Sequence, residues 1–163
     1  MLEAYELYLR QVRVNEDETG RPAEYPFTIP LFQHFQPLTF HKPLTFITGD
    51  NGTGKSTLIE AIAVGMGFNP EGGTRNFQFS TRETHSSLYQ ALTLAKGVRR
   101  CRDGFFFRAE SFYNVASEIE NIAAEDSRML TGYGGVSLHK MSHGESYLTL
   151  LRSRLSGHGF YIF

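Results

Sequence analysis

The stretch Gly49-Asp50-Asn51-Gly52-Thr53-Gly54-Lys55-Ser56-Thr57 constrains this chain more than any other, because it fits G-x-x-x-x-G-K-[ST] at every fixed position. A loop wrapped around a phosphate must turn its backbone N–H groups inward, and side chains there block the approach. Gly49, Gly52 and Gly54 leave it open. Lys55 is placed to reach β- and γ-phosphates as a point charge, and Ser56 offers a hydroxyl to Mg²⁺. A helix starting at this point turns its positive end toward the anion. These residues form a Walker A pattern, and the expected ligand is a nucleoside triphosphate. Asp50 is an unusual residue for an anion site, and its side chain is expected to point outward.

The pattern needs a strand before it and a helix after it. Leu44-Thr45-Phe46-Ile47-Thr48 is a short apolar, β-branched run of the kind a buried strand uses. Residues 56–66 are apolar on nearly all sides, as in a helix packed on a sheet, and Gly67 with the Asn69-Pro70-Glu71-Gly72-Gly73 cluster stops them. The chain has 163 residues, enough for one domain with a sizeable core. A formal net charge of −1 argues against a bulk electrostatic grip on nucleic acid. The single cysteine, Cys101, leaves no internal disulfide or cysteine-rich zinc site and suits a reducing, cytoplasmic setting. No apolar run approaches the length of a membrane span, and the N-terminus lacks the pattern of a signal peptide, so a soluble chain without membrane insertion is expected.

From Leu7 to Val14 apolar and polar residues alternate as in a half-buried strand. Residues 15–22 read as a charged loop, and residues 25–40 as edge strands and irregular turns broken by Pro26, Pro30 and Pro37. Residues 74–83 are polar and read as a loop, while 86–96 and 104–109 read as strands joined by a basic turn. In residues 110–126 the spacing of Phe112, Val115, Ala116, Ile119 and Ile122 predicts an amphipathic helix. The glycine-rich stretch 129–138 reads as a mobile loop. Met141-Ser142-His143-Gly144-Glu145-Ser146 then opens a helix that Gly157-His158-Gly159 ends, and Phe160-Tyr161-Ile162-Phe163 is a bare strand.

That last order of elements resembles the ATP-binding cassette (ABC) family, whose Leu-Ser-Gly-Gly-Gln signature opens a helix followed by the Walker B strand. Met141 to Glu145 matches at Ser142 and Gly144, keeps an apolar first position and departs at His143 and Glu145. Ser142 and Glu145 also form an S-x-x-E capping box, a purely structural way to satisfy a helix start. The resemblance implies an α/β P-loop NTPase fold with a β-rich N-terminal lobe (1–48, including the core strand), the Walker A loop and helix (49–67), a small signature-bearing lobe (74–155) and the start of the Walker B strand (160–163). It implies ATP and Mg²⁺ as cofactors, held by Gly49, Asp50, Asn51, Gly52, Thr53, Gly54, Lys55, Ser56 and Thr57. Ser142 and Gly144 would meet the γ-phosphate of an opposite subunit in a head-to-tail homodimer. Ser56 is the implied metal ligand.

Other parts of the family pattern diverge. The Walker B strand of the family ends in Asp-Glu, and Phe163 stands where that pair should begin, so the reading is of a front portion of a longer ATPase. Glu110 stands where a Q-loop glutamine is expected, with Gln78 and Gln90 less well placed. The resemblance also offers Arg10 and Arg13 near the nucleotide and Tyr8 as an adenine platform, although a strand in a β lobe explains all three. Lys96, Arg99, Arg100, Arg102 and Arg108 gather positive charge that suits a phosphate backbone or, more plainly, a solvated hairpin tip. The leading reading is a stand-alone or RecF-like ATPase of a repair or defence type. A transporter's ATP-binding subunit, a small-molecule P-loop kinase and an ATP-binding regulator without turnover are the alternatives.

Overall fold

The computed structural model describes residues 6–15, 24–76, 86–155 and 158–163. The loops expected at 15–22 and 74–83, Gln78 and the Gly157 helix stop lie wholly or partly outside them. The chain divides into two compact units, one formed by Met1–Gly67 with Arg82–Arg100 and the other by Phe68–Thr81 with Cys101–Phe163.

In the first unit, strand β1 (Leu9–Val14) is central to an antiparallel sheet, between β2 (Leu38–Thr39) and β3 (Leu92–Lys96). The register pairs Val12 with Leu38 on one side and with Leu94 on the other. Strict alternation from Leu7 would turn Gln11 inward. A register shift between Leu9 and Gln11 re-phases the strand, so that Leu7, Leu9 and Val12 are the buried residues. The short helix α1 (Pro30–Gln33) buries Phe32 where the sequence suggested edge strands and turns, because Pro30 supplies a helix-ready φ at the first position.

Helix α2 (Lys55–Gly65) follows the glycine loop as expected and buries Leu58, Ala61, Ile62 and Ala63. It packs so closely on β3 that a Cβ on Gly65 would stand 2.6 Å from Leu94 Cδ1. Its buried Glu60 accepts a hydrogen bond from the Ser86 amide at 3.0 Å. The run 86–96 is half helix and half strand: Ser86 Oγ accepts from the Leu88 amide at 3.1 Å, and α3 (Leu88–Ala91) makes one turn before β3.

The expected core strand at 44–48 is a correction. These residues enter neither sheet, and Leu44 and Phe46 are 70% and 79% exposed. A run of β-formers becomes a strand only when a neighbouring strand takes up its N–H and C=O groups, and no described strand pairs with this one.

The second unit holds a parallel pair, β4 (Asp103–Phe106) and β5 (Gly159–Ile162), in register from Asp103↔Gly159 to Phe106↔Ile162. The strand expected at 160–163 is thus formed, and among the described residues it pairs with β4. Parallel strands require a long crossover. Here it carries α4 (Phe112–Glu125), a 3-10 stretch at Ser127–Tyr133 and α5 (His143–Arg154). The 3-10 stretch takes up residues 129–133 of the mobile loop expected at 129–138, because the Asp126 carboxylate accepts from the Arg128 amide and starts it, while residues 134–136 turn the chain. Phe105, Phe107, Phe112, Val115, Ile119, Tyr133 and Leu150 form the core of this unit. The basic stretch around Lys96 to Arg108 joins strands of different sheets and is not a hairpin tip.

Candidate functional site

The glycine loop of residues 49–54 has the backbone its sequence demands. Gly49, Gly52 and Gly54 all take positive φ, at 148°, 79° and 97°, a region that costs any other residue strain. A Cβ on Gly54 would also stand 3.0 Å from Ile29 Cγ2 and 3.2 Å from Phe32 Cε2, so this glycine is fixed by space as well as by conformation. Gly54 precedes α2 without any side-chain cap. No side chain of this cap takes up the first N–H groups of α2, the donor set that an anion takes at a helix N-terminus.

Lys55 folds back over the loop, its Nζ donating to the Asp50 carbonyl at 2.5 Å, and Thr53 Oγ1 donates to the same oxygen at 2.8 Å. Asp50 thus serves through its backbone, while its side chain is exposed as expected. Ser56 is exposed in the first turn of α2, and Thr57 Oγ1 lies 3.2 Å from the Tyr25 hydroxyl. Sequence reasoning passed over Tyr25, reading its neighbourhood only as a broken strand. The Tyr25-Pro26 dipeptide was the available signal, since X-Pro marks a turn that can be pinned against a neighbour.

At the second constellation, the capping box is fully formed. Ser142 Oγ accepts from the Glu145 amide, while the Glu145 carboxylate accepts from the Ser142 amide at 2.9 Å and from its hydroxyl at 2.6 Å. The serine hydroxyl expected to be free for a phosphate is engaged within its own helix. Gly144 is exposed, with open space around it. His143 is solvent-exposed, and its ring lies edge-on to Tyr147 at 4.8 Å and to Phe112 at 5.8 Å. The Ser142 hydroxyl first and its amide second hold the Glu145 carboxyl below the usual glutamate value. A depressed folded value means that the cap contributes above the unfolded value, about 4.3, and is lost as pH falls through the folded one. Amide exchange at residues 143–146 is expected to quicken across that acid window, and Glu145→Gln to remove the step. An unchanged step in the variant would assign it elsewhere.

Glu110 sits exposed in a 3-10 turn (Ala109–Ser111), 3.7 Å from Arg108 Nε. The Tyr147 hydroxyl is pushed up, first by burial and then by the Glu110 charge. Several of the basic residues are engaged locally. Lys96 Nζ donates to the Gly65 carbonyl at 3.1 Å, Arg99 pairs with Glu6 at 3.9 Å, and Arg108 Nη1 donates to the Pro70 carbonyl at 3.0 Å. Arg10 and Arg13 point outward from β1, and Tyr8, just before it, is half-buried. Among the described residues no three His, Cys, Asp or Glu side chains gather as a metal cluster, and no helix is long and apolar enough to cross a membrane.

No curated protein and no solved structure matches the chain at a significant level. A family model described as an AAA domain matches residues 29–127. The match begins at Ile29, whose side chain backs Gly54, includes the whole glycine loop and α2, and stops before Ser142. It spans more than half of the chain, whose mixed α/β structure agrees with it, and the chain belongs to this AAA domain family of P-loop ATPases.

Proposed function

We propose that the chain is the ATP-binding part of a cytoplasmic ATPase of the ABC or RecF-like type, holding ATP with Mg²⁺ at residues 49–57. The observation that carries this reading is the set of three left-handed glycines ahead of an uncapped helix, with Lys55 lying over the loop. The amides of the loop and of the first turn of α2 would take the β-phosphate, and Lys55 would leave the Asp50 carbonyl for the β- and γ-phosphates. The Ser56 hydroxyl would hold Mg²⁺, which when bound neutralises charge between those phosphates.

Pairing of two chains through Ser142 and Gly144 is part of the same proposal. It requires the Glu145 carboxylate to swing away from Ser142, since a carboxylate and a phosphate compete for the same donors. The formed capping box favours a second reading, in which the chain binds ATP without pairing through this helix. Light scattering with and without ATP decides between the two. Under the first, ATP doubles the mass of the wild type, while Ser142→Arg still binds ATP with wild-type affinity but stays monomeric. Equal dimerisation of the variant would remove Ser142 from the interface.

A further inference from the structure

We propose that Tyr25 is a further ligand-binding residue of the phosphate site, its phenol hydroxyl donating to the phosphate chain held by residues 49–57. The proposal rests on the phosphate-loop reading and adds a residue outside the Walker A pattern. Tyr25 Oη and Thr57 Oγ1 are 3.2 Å apart, which puts the phenol at the first turn of α2, immediately beyond Ser56. Two hydroxyls joined by one hydrogen bond use only one of their two protons in it. With Thr57 as the donor in this pair, the phenol proton is free to be given to an anion, and a bond to a charged oxygen is stronger than one between neutral groups.

The phenol is also held in place. The Phe27 amide donates to the Glu24 carbonyl at 2.8 Å and the Ile29 amide to the Pro26 carbonyl at 3.0 Å, closing the turn that carries Tyr25. Pro26 and Phe27 are buried beneath it, and further along the same segment Ile29 and Phe32 press on Gly54. The segment that backs the phosphate loop is therefore the one that presents the tyrosine, so little ordering is left to be done when a ligand arrives. Packing does not account for the ring: Tyr25 is 62% exposed, whereas a tyrosine kept for the core buries its ring.

The experiment is calorimetric titration of wild type, Tyr25→Phe, Thr57→Val and the double variant with ATP and with inorganic tripolyphosphate, at fixed Mg²⁺. Phenylalanine keeps the ring and the turn and removes only the hydroxyl. Tyr25→Phe is expected to weaken both ligands about tenfold, with a similar loss when Thr57 is already valine. Wild-type affinity in Tyr25→Phe overturns the proposal. So does a loss confined to ATP, which would mean a contact to the base, and so does a loss that vanishes in the Thr57→Val background, which would mean that Tyr25 acts only through Thr57. A wild-type chain that binds neither ligand removes the phosphate-loop reading itself, and this proposal with it.

Discussion

Lys55→Ala is expected to lower ATP affinity roughly 100- to 1000-fold, equivalent to about 3–4 kcal/mol, while leaving the fold intact. The lysine carries the only cation in residues 49–57, and in the structure it already lies over the loop at the Asp50 carbonyl. On the proposed reading, truncation would remove charge-assisted bonds to two phosphates and leave their negative charge facing only amide dipoles and Mg²⁺. The fold loses little, because the Lys55 bond to the Asp50 carbonyl lies at the exposed side of the loop and α2 is anchored by Leu58, Ala61 and Ile62. Lys55→Arg should not restore binding, since a broad, forked guanidinium does not fit a loop that closes on a compact ammonium at 2.5 Å. The check is nucleotide titration together with far-UV circular dichroism. Undiminished affinity in a folded Lys55→Ala variant would end the phosphate-loop assignment.

The parts legible in the sequence are those determined by local chemistry. The glycines of 49–54 announce positive φ, Ser142 and Glu145 announce a cap, and the apolar spacing after Glu110 announces α4; each appears where it was read. Local chemistry does not decide whether a β-forming run finds a partner. Residues 44–48 have strand composition and no ladder, while β4 and β5 find each other across a long crossover. The short apolar run at 86–96 shows another limit, since periodicity alone does not separate a helical turn from a strand and one serine hydroxyl sets the boundary. In the candidate site the loop was readable and its surroundings were not. Tyr25 reaches Thr57 through a turn whose position follows from buried Pro26 and Phe27, which no spacing rule reveals. The role read for Ser142 met a competitor within its own motif, because the glutamate that departs from the family signature takes the serine's donors.

Gly104→Val is expected to destabilise the second unit by about 3 kcal/mol, toward the upper end for overpacking, because the obstruction is backbone. Gly104 pairs with Phe160 in the parallel ladder, and a Cβ there would stand 2.4 Å from the Phe160 carbonyl oxygen and 2.8 Å from Phe68 Cζ. A side chain in the way can rotate, but a carbonyl held in a ladder cannot move without breaking the pairing. The consequence reaches α5, because Phe105 and Phe107 at this strand belong to the cluster that holds Leu150, and Phe107 meets Tyr147 at 4.7 Å. Asp103, one residue before Gly104, also accepts from Arg154 at 2.6 Å and from Tyr161 at 3.1 Å, so a displaced β4 pulls on the end of α5 as well. Hydrogen–deuterium exchange should therefore show faster exchange in β4, β5 and α5 together, with α2 retaining its protection. Faster exchange in β4 and β5 with an unchanged α5 would mean that this helix is held by α4 and the 3-10 stretch alone. In that case the Ser142 helix would not depend on the strand pair, and a variant that loosens β5 would leave any pairing through Ser142 untouched.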